Sequence, residues 1–190
     1  EDQTWVVVFT DGSCRGPSTV PWARRAGWAA YWGPDHPLNL EARIPGPDQN
    51  NNRAEAFGVL WAIQADRRPL EIRIDSQSVM ARCVELQSDP EFWTKPLEGW
   101  EQDVFAQIHT EIHSRAEPVR FQKVKAHTEP GAEESSLDTQ DRIGNDHADY
   151  GAKSGAARQT FDAATFEKTY RRRVFAATKL QRMMIKITMT

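Results

Sequence analysis

The segment TWVVVFT at positions 4–10 is built only from β-branched and aromatic residues, and it stops at Asp11-Gly12-Ser13. Such a run is too short for a helix, suits the half-buried surface of a pleated sheet, and ends in turn chemistry. It reads as a buried central strand, and the rest of the chain has to be arranged around it. Residues 27–32 and 38–44 are two further strand candidates, the second alternating cleanly, with Gly33-Pro34-Asp35 between them. The three together predict an antiparallel meander.

Helical periodicity begins after Pro45-Gly46-Pro47, where Asn50-Asn51-Asn52 offers a cap and Ala54, Phe57, Leu60, Trp61 and Ile63 recur at mostly three-and-four spacing. Residues 70–75 alternate as a short strand, and 76–86 read as a helix opened by Asp75 or Ser76. A helical stretch over about 93–114 and an alternating strand at 119–124 follow. The polar residues 128–143, with Pro130, Gly131 and Ser135-Ser136, predict a long loop before an Ala-rich helix over 145–157. A last helix starts near Phe161, with Phe166, Tyr170, Val174, Ala177, Leu180, Met184 and Ile187 near one face. The order is βββαβα(α)βα plus a tail, an α/β arrangement.

Charge separates the body from the tail. Residues 157–190 hold eight Lys/Arg against Asp162 and Glu167, a net +6, which leaves −9 on residues 1–156. An acidic body argues against non-specific grip on phosphates while leaving room for a carboxylate-lined metal site. With 190 residues, 39% of them hydrophobic, the chain is expected to form one domain with an appendage. A mean hydropathy of −0.67 and the absence of a bilayer-length apolar run predict a chain that does not enter a membrane. The charged start Glu1-Asp2-Gln3 argues against a signal peptide, so an intracellular setting, nuclear or cytoplasmic, is expected. Two cysteines, Cys14 and Cys83, cannot build a disulfide framework and fit a reducing compartment. A first residue other than Met is explained by processing or by a cut from a longer polypeptide, and the cut is the favoured expectation.

Three acidic residues fall at backbone ends in apolar neighbourhoods: Asp11 inside or just past the central strand, Asp75 at a strand end, and Glu55 one turn into a helix. Brought together, they would repel one another and raise each other's pKa unless a cation intervened, and a hard divalent metal resolves that conflict. Local roles are open as well: Asp75 capping the next helix, Glu55 favouring a helix N-terminus, Asp11 closing a turn.

The surrounding residues carry a resemblance. Asp11-Gly12-Ser13-Cys14 after a hydrophobic strand, Asn51-Asn52-Arg53-Ala54-Glu55 opening a helix, and Ile74-Asp75-Ser76-Gln77 at a strand end resemble, in order, the first three motifs of the type I ribonuclease H family. Val124-Lys125-Ala126-His127, followed by Asn145-Asp146-His147-Ala148-Asp149, is similar to that family's histidine loop and its closing Asn-x-x-Ala-Asp motif. The resemblance implies a ribonuclease H-like mixed five-stranded sheet, three antiparallel strands then two parallel, flanked by helices. Residues 4–157 would be that domain, and 158–190 a basic amphipathic helical tail or linker.

The resemblance also implies endonucleolytic hydrolysis of the RNA strand of an RNA–DNA hybrid with two Mg²⁺ ions, for which Mn²⁺ would substitute. Asp11, Glu55, Asp75 and Asp149 become the metal-binding carboxylates, and His127 the mobile histidine that assists proton movement or product release. Asn51, Asn52 and Gln77, with Ser13 and Cys14, match positions that contact the hybrid and its 2′-hydroxyls. Arg53 is expected to be structural, and His147 to lie on the surface.

The chain departs from the family pattern in two stretches. Residues 15–25 make a longer excursion with arginines at 15, 24 and 25, and the stretch 85–103, where many members carry a basic protrusion, has only Lys95 against six carboxylates. Its net −5 predicts weak intrinsic affinity for the hybrid, with grip supplied by another domain. The long loop, the absent initiator Met and the truncated-looking end suggest a unit of a retroelement polyprotein, with a reverse transcriptase or another domain of the same chain as partner, a free-standing cellular enzyme being the alternative. The rival is a catalytically silent module of the same fold that binds nucleic acid or scaffolds. A proofreading-type exonuclease fits poorly, because it needs an Asp-x-Glu pair where this chain has Asp11-Gly12-Ser13.

Overall fold

The first strand, β1 (Val6–Arg15), lies at the centre of a five-stranded sheet. On one side it pairs antiparallel with β2 (Arg25–Tyr31), which pairs antiparallel with β3 (Leu40–Arg43). On its other side it pairs in parallel with β4 (Leu70–Ile74), which pairs in parallel with β5 (Val119–Lys123), so the order is β3-β2-β1-β4-β5. This is the mixed sheet expected from the sequence. The computed structural model describes residues 4–16, 23–91, 101–125, 135–158 and 163–188.

Two boundaries differ from the sequence reading. Asp11-Gly12-Ser13 is not a turn: β1 continues to Arg15, with Cys14 opposite Ala26 and Arg15 opposite Arg25, because a neighbouring strand's ladder satisfies the backbone that an isolated turn would leave open. Nor does a loop run to residue 143. The fourth helix, α4 (Ser136–Ala157), starts nine residues earlier than the Ala-rich stretch suggested, with the Ser135 hydroxyl accepting the Asp138 N–H at 3.1 Å. Its polar first half is held by tertiary contacts: Asp141 pairs with the buried Arg73 of β4, and Gly144 lies against the Phe9 ring.

Helices α1 (Asn51–Ala65), α2 (Gln77–Ser88) and α3 (Gln102–Ser114) share one core with the sheet. Val8, Ile72 and Ile74 from the strands meet Val59, Leu86 and Phe105 from the helices, all at or below 1% exposure. Burying each such side chain contributes ~1.5–3 kcal/mol. Strand alternation turns Phe9 to the opposite face, where it joins Val124 and Ala148 in a smaller cluster under α4. The Arg115 guanidinium donates to the Ile63 and Asp66 carbonyls, each at 2.7 Å, and so satisfies the open end of α1.

The chain divides into two compact units, Glu1–Gln159 and Thr160–Thr190. The second consists, among the described residues, of one helix, α5 (Ala163–Thr188). No helix among the described residues is long and apolar enough to cross a membrane.

Candidate metal centre

Parallel pairing of β1 with β4 sets Thr10 opposite Ile74, and in each strand the following residue is an aspartate. Asp11 and Asp75 are thereby carried to one end of the sheet. Glu55 comes from the second turn of α1, and Gly12 decides how near it can come. A Cβ on Gly12 would lie 2.3 Å from the Glu55 nitrogen and 2.8 Å from the Ala54 carbonyl carbon, so only glycine lets the strand run this close to the helix. One carboxylate oxygen from each of Asp11, Glu55 and Asp75 lies within 4.8 Å of the others.

The local roles left open by the sequence go to other residues. Ser76, not Asp75, caps α2, its hydroxyl accepting the Val79 N–H at 3.5 Å. Asn50 caps α1, accepting the Arg53 N–H at 2.8 Å, while Glu55 sits beyond the first turn. Asp11 stands in the β1–β2 ladder opposite Ala29.

The setting is hostile to charge. Asp11 is 4% and Glu55 2% exposed, whereas Asp75 is half-buried. Burial first, then the charges of Asp75 and Asp149, push the Asp11 carboxyl up from its ordinary 3.8 to about 7, against the pull of a hydrogen bond from the Gly12 amide. Glu55 is likewise held well above the usual carboxylate range by burial and by Asp11 and Asp75. Its Oε1 accepts a 3.3 Å hydrogen bond from Asn51 Nδ2, but its Oε2 is buried with no hydrogen-bond partner. An orphaned carboxylate oxygen among three converging hard donors fits a hard divalent cation, which would supply the missing partner and offset the repulsion.

Asp149 stands apart from this group. It lies half-buried on α4, near enough for its charge to raise Asp11, yet outside the three-carboxylate cluster. Its Oδ2 pairs with Lys153 Nζ at 2.5 Å. Lys153 was passed over by the sequence reading, although its four-residue spacing from Asp149 on a helix was the signal.

The residues expected to meet a substrate flank the carboxylates along the same elements. Ser13 and Cys14 are half-buried on β1, and the Cys14 thiol approaches the Gln49 carbonyl at 3.6 Å. Asn51 is exposed and Asn52 half-buried at the start of α1, and Gln77 is exposed at the start of α2. Arg53 is structural: it pairs with Glu101 at 2.8 Å and with Asp103 at 2.6 Å, tying α1 to the start of α3. His147 is on the surface, its ring stacked on Tyr31 at 4.5 Å. His127 lies outside the described residues, as do positions 17–22 of the arginine-bearing excursion.

Comparison with known proteins adds an independent line. A ribonuclease H from Stutzerimonas stutzeri is 30% identical over 148 residues, covering 70% of this chain and 87% of that protein. Human ribonuclease H1 is 48% identical over 60 residues, and the match spans 20% of that protein's length. Among solved structures, the prototype foamy virus RNase H domain matches with a TM-score of 0.60 at 18% identity, over 82% of this chain and 96% of that one. LC11-RNase H1, solved in complex with an RNA/DNA hybrid, matches with a TM-score of 0.53 at 17% identity, over 80% of this chain and 96% of that one. The RNase H family model matches residues 3–157, the same stretch that forms the sheet, its helices and the carboxylate cluster, and the chain therefore belongs to the RNase H family.

Proposed function

We propose that this chain hydrolyses the RNA strand of RNA–DNA hybrids, cutting internally, with two Mg²⁺ ions held by Asp11, Glu55, Asp75 and Asp149, and with Mn²⁺ able to substitute. The observation that carries the reading is the buried Asp11–Glu55–Asp75 cluster, with its partnerless Glu55 oxygen, placed on this family's fold. Bound divalent ions would supply charge stabilisation for the entering and leaving oxygens of an in-line displacement and lower the pKa of an attacking water.

The chain's own residues supply position. The ladder fixes Asp11, the Ser76 cap fixes the turn that carries Asp75, and Asn51 orients the Glu55 carboxylate through its hydrogen bond. Asn51, Asn52 and Gln77, with Ser13 and Cys14, would offer amide, hydroxyl and backbone groups to the hybrid's 2′-hydroxyls. His127 would move a proton or help release product. LC11-RNase H1 was solved with such a hybrid, which supports the substrate class. A partner domain of reverse-transcriptase type is supported by the prototype foamy virus protease-reverse transcriptase, of which this chain's fold covers 20%.

The test is cleavage of an end-labelled hybrid in Mg²⁺ or Mn²⁺ beside the Asp75→Asn variant and a double-stranded RNA control. Cutting of the hybrid alone, lost in the variant, is the expected result. Hybrid binding without cleavage in either metal would instead mark a silent module.

A further inference from the structure

The helix α5 carries more positive charge than anything else in the chain, and most of it lies on one side, with Arg173 turned away from the rest. At about 100° per residue, Lys168, Arg171, Arg172, Lys179 and Arg182 fall within about 100° of arc, and all five are exposed. Arg171 pairs with Glu167 at 2.6 Å, the one acidic residue on the helix, and the other four form no ion pair among the described residues. Residues three and four apart on a helix sit about 5–6 Å apart, so the row presents cations at a spacing suited to successive phosphates.

In the middle of this arc stands Phe175. It is 71% exposed, one turn from both Arg171 and Lys179, and it lines a shallow groove with Arg171, Lys179 and Arg182. A helix lying on a lipid surface puts its large apolar side chains opposite its cations. Tyr170, Leu180 and Met184 keep that side here, but Phe175, the most exposed apolar side chain among the described residues of the helix, is set among the cations. Cations in a row with an aromatic ring between them are the elements of a surface that tracks a phosphodiester strand and stacks an unpaired base.

We propose that α5 is a nucleic-acid grip, holding a single-stranded stretch next to the hybrid through Lys168, Arg172, Lys179 and Arg182, with Phe175 as the stacking surface. The inference rests on the hybrid substrate proposed above, and it accounts for a catalytic unit whose net charge is −9 over residues 1–156. That unit has little to hold a polyanion with, and the complement is concentrated on this helix.

The experiment uses the whole chain in EDTA, so that binding is read without cleavage. Fluorescence anisotropy follows three probes: a blunt hybrid, the same hybrid with a single-stranded extension, and the single strand alone. The extension is expected to tighten binding. The triple variant R172E/K179E/R182E should remove that gain, weaken the extended probe at least tenfold, and flatten the salt dependence by about two to three units of log–log slope. The charge-neutral Phe175→Ala should cost the extended probe about tenfold and the blunt hybrid little. Equal affinities for all probes in both variants would overturn the proposal, as would binding of the helix to phosphatidylserine vesicles with nucleic-acid affinity unaffected. Failure of the hydrolytic reading shows separately: the same protein in Mg²⁺ would leave the hybrid uncut while the anisotropy result stood.

Discussion

The backbone nitrogen of Glu55 occupies the space where a side chain on Gly12 would begin, 2.3 Å from an ideal Cβ. Strand and helix touch through backbone at that point, and the touch brings the Asp11 and Glu55 carboxyls together. Adding one methyl forces β1 and α1 apart. Gly12→Ala should therefore destabilise the fold by about 1–3 kcal/mol, the usual effect of overpacking, and reduce hybrid cleavage well beyond what the loss of folded protein explains. Urea melts and single-turnover cleavage check both, and a variant equal to wild type in each would refute the close approach.

Asp11 predicts an unusual pH dependence for the metal-free protein. Its folded pKa, about 7, lies above the ordinary 3.8, so between those values the folded state binds more protons than the unfolded one. Stability therefore falls as pH rises across that window. The contribution is complete below about 3.8 and lost by about 7. Thermal melts in EDTA should show this decline, and Asp11→Asn should flatten it. Mg²⁺ should raise the melting temperature more at pH 8 than at pH 5, because protons compete with the ion for the same oxygens.

Glu55→Gln separates stability from activity. It replaces a buried acid that is costly to ionise beside Asp11 with a neutral amide of the same shape, so the metal-free variant should melt at or above the wild-type temperature. Cleavage should drop by more than the ~10–100-fold typical when a group that merely supports a metal ligand is lost. A variant that is less stable without metal yet active would mean that Glu55 has a structural role instead.

Lys153 neutralises Asp149 in the absence of metal. The pair is partly exposed on a helix, so Lys153→Met should change stability by less than about 0.5 kcal/mol. If Asp149 holds an ion, removing the competing ammonium should lower the Mg²⁺ concentration needed for half-maximal cleavage several-fold. An unchanged metal titration would argue that Asp149 takes no part in binding.

Ser135 lies inside the stretch that the sequence assigns to a loop, and there it caps α4. Ser135→Ala removes the cap of α4 and should cost about 1 kcal/mol. The loss should fall on the start of that helix, read as faster amide exchange near Asp138 than near Ala152.

Much of this molecule is legible in the residue order alone, for particular reasons. The apolar run 4–10 and the alternation at 70–75 and 119–124 identify strands because side-chain periodicity is a local property. Asp11, Glu55 and Asp75, which the structure brings together, are legible because each sits in a short motif with distinctive neighbours. The start of α4 is not legible. Residues 136–144 have the composition of a loop, and they are helical because Ser135 caps them, Asp141 meets Arg73, and Gly144 lies on Phe9. The last two partners stand far away in the chain. The continuation of β1 through Asp11-Gly12-Ser13 is likewise decided by the strand beside it.

The sequence by itself determined which elements form, since apolarity and capping are local patterns, and its motifs, through their resemblance to the RNase H family, implied the mixed sheet and nominated the carboxylates of the candidate site. The tertiary structure alone decided how those carboxylates stand to one another. Parallel register set Asp11 beside Asp75, the missing Cβ of Gly12 admitted Glu55, and Asp149 was left apart with Lys153. The physical reason is that separation and burial belong to pairs of residues brought together by packing. The desolvation and repulsion that lift Asp11 to about 7 exist only once that packing has closed around it.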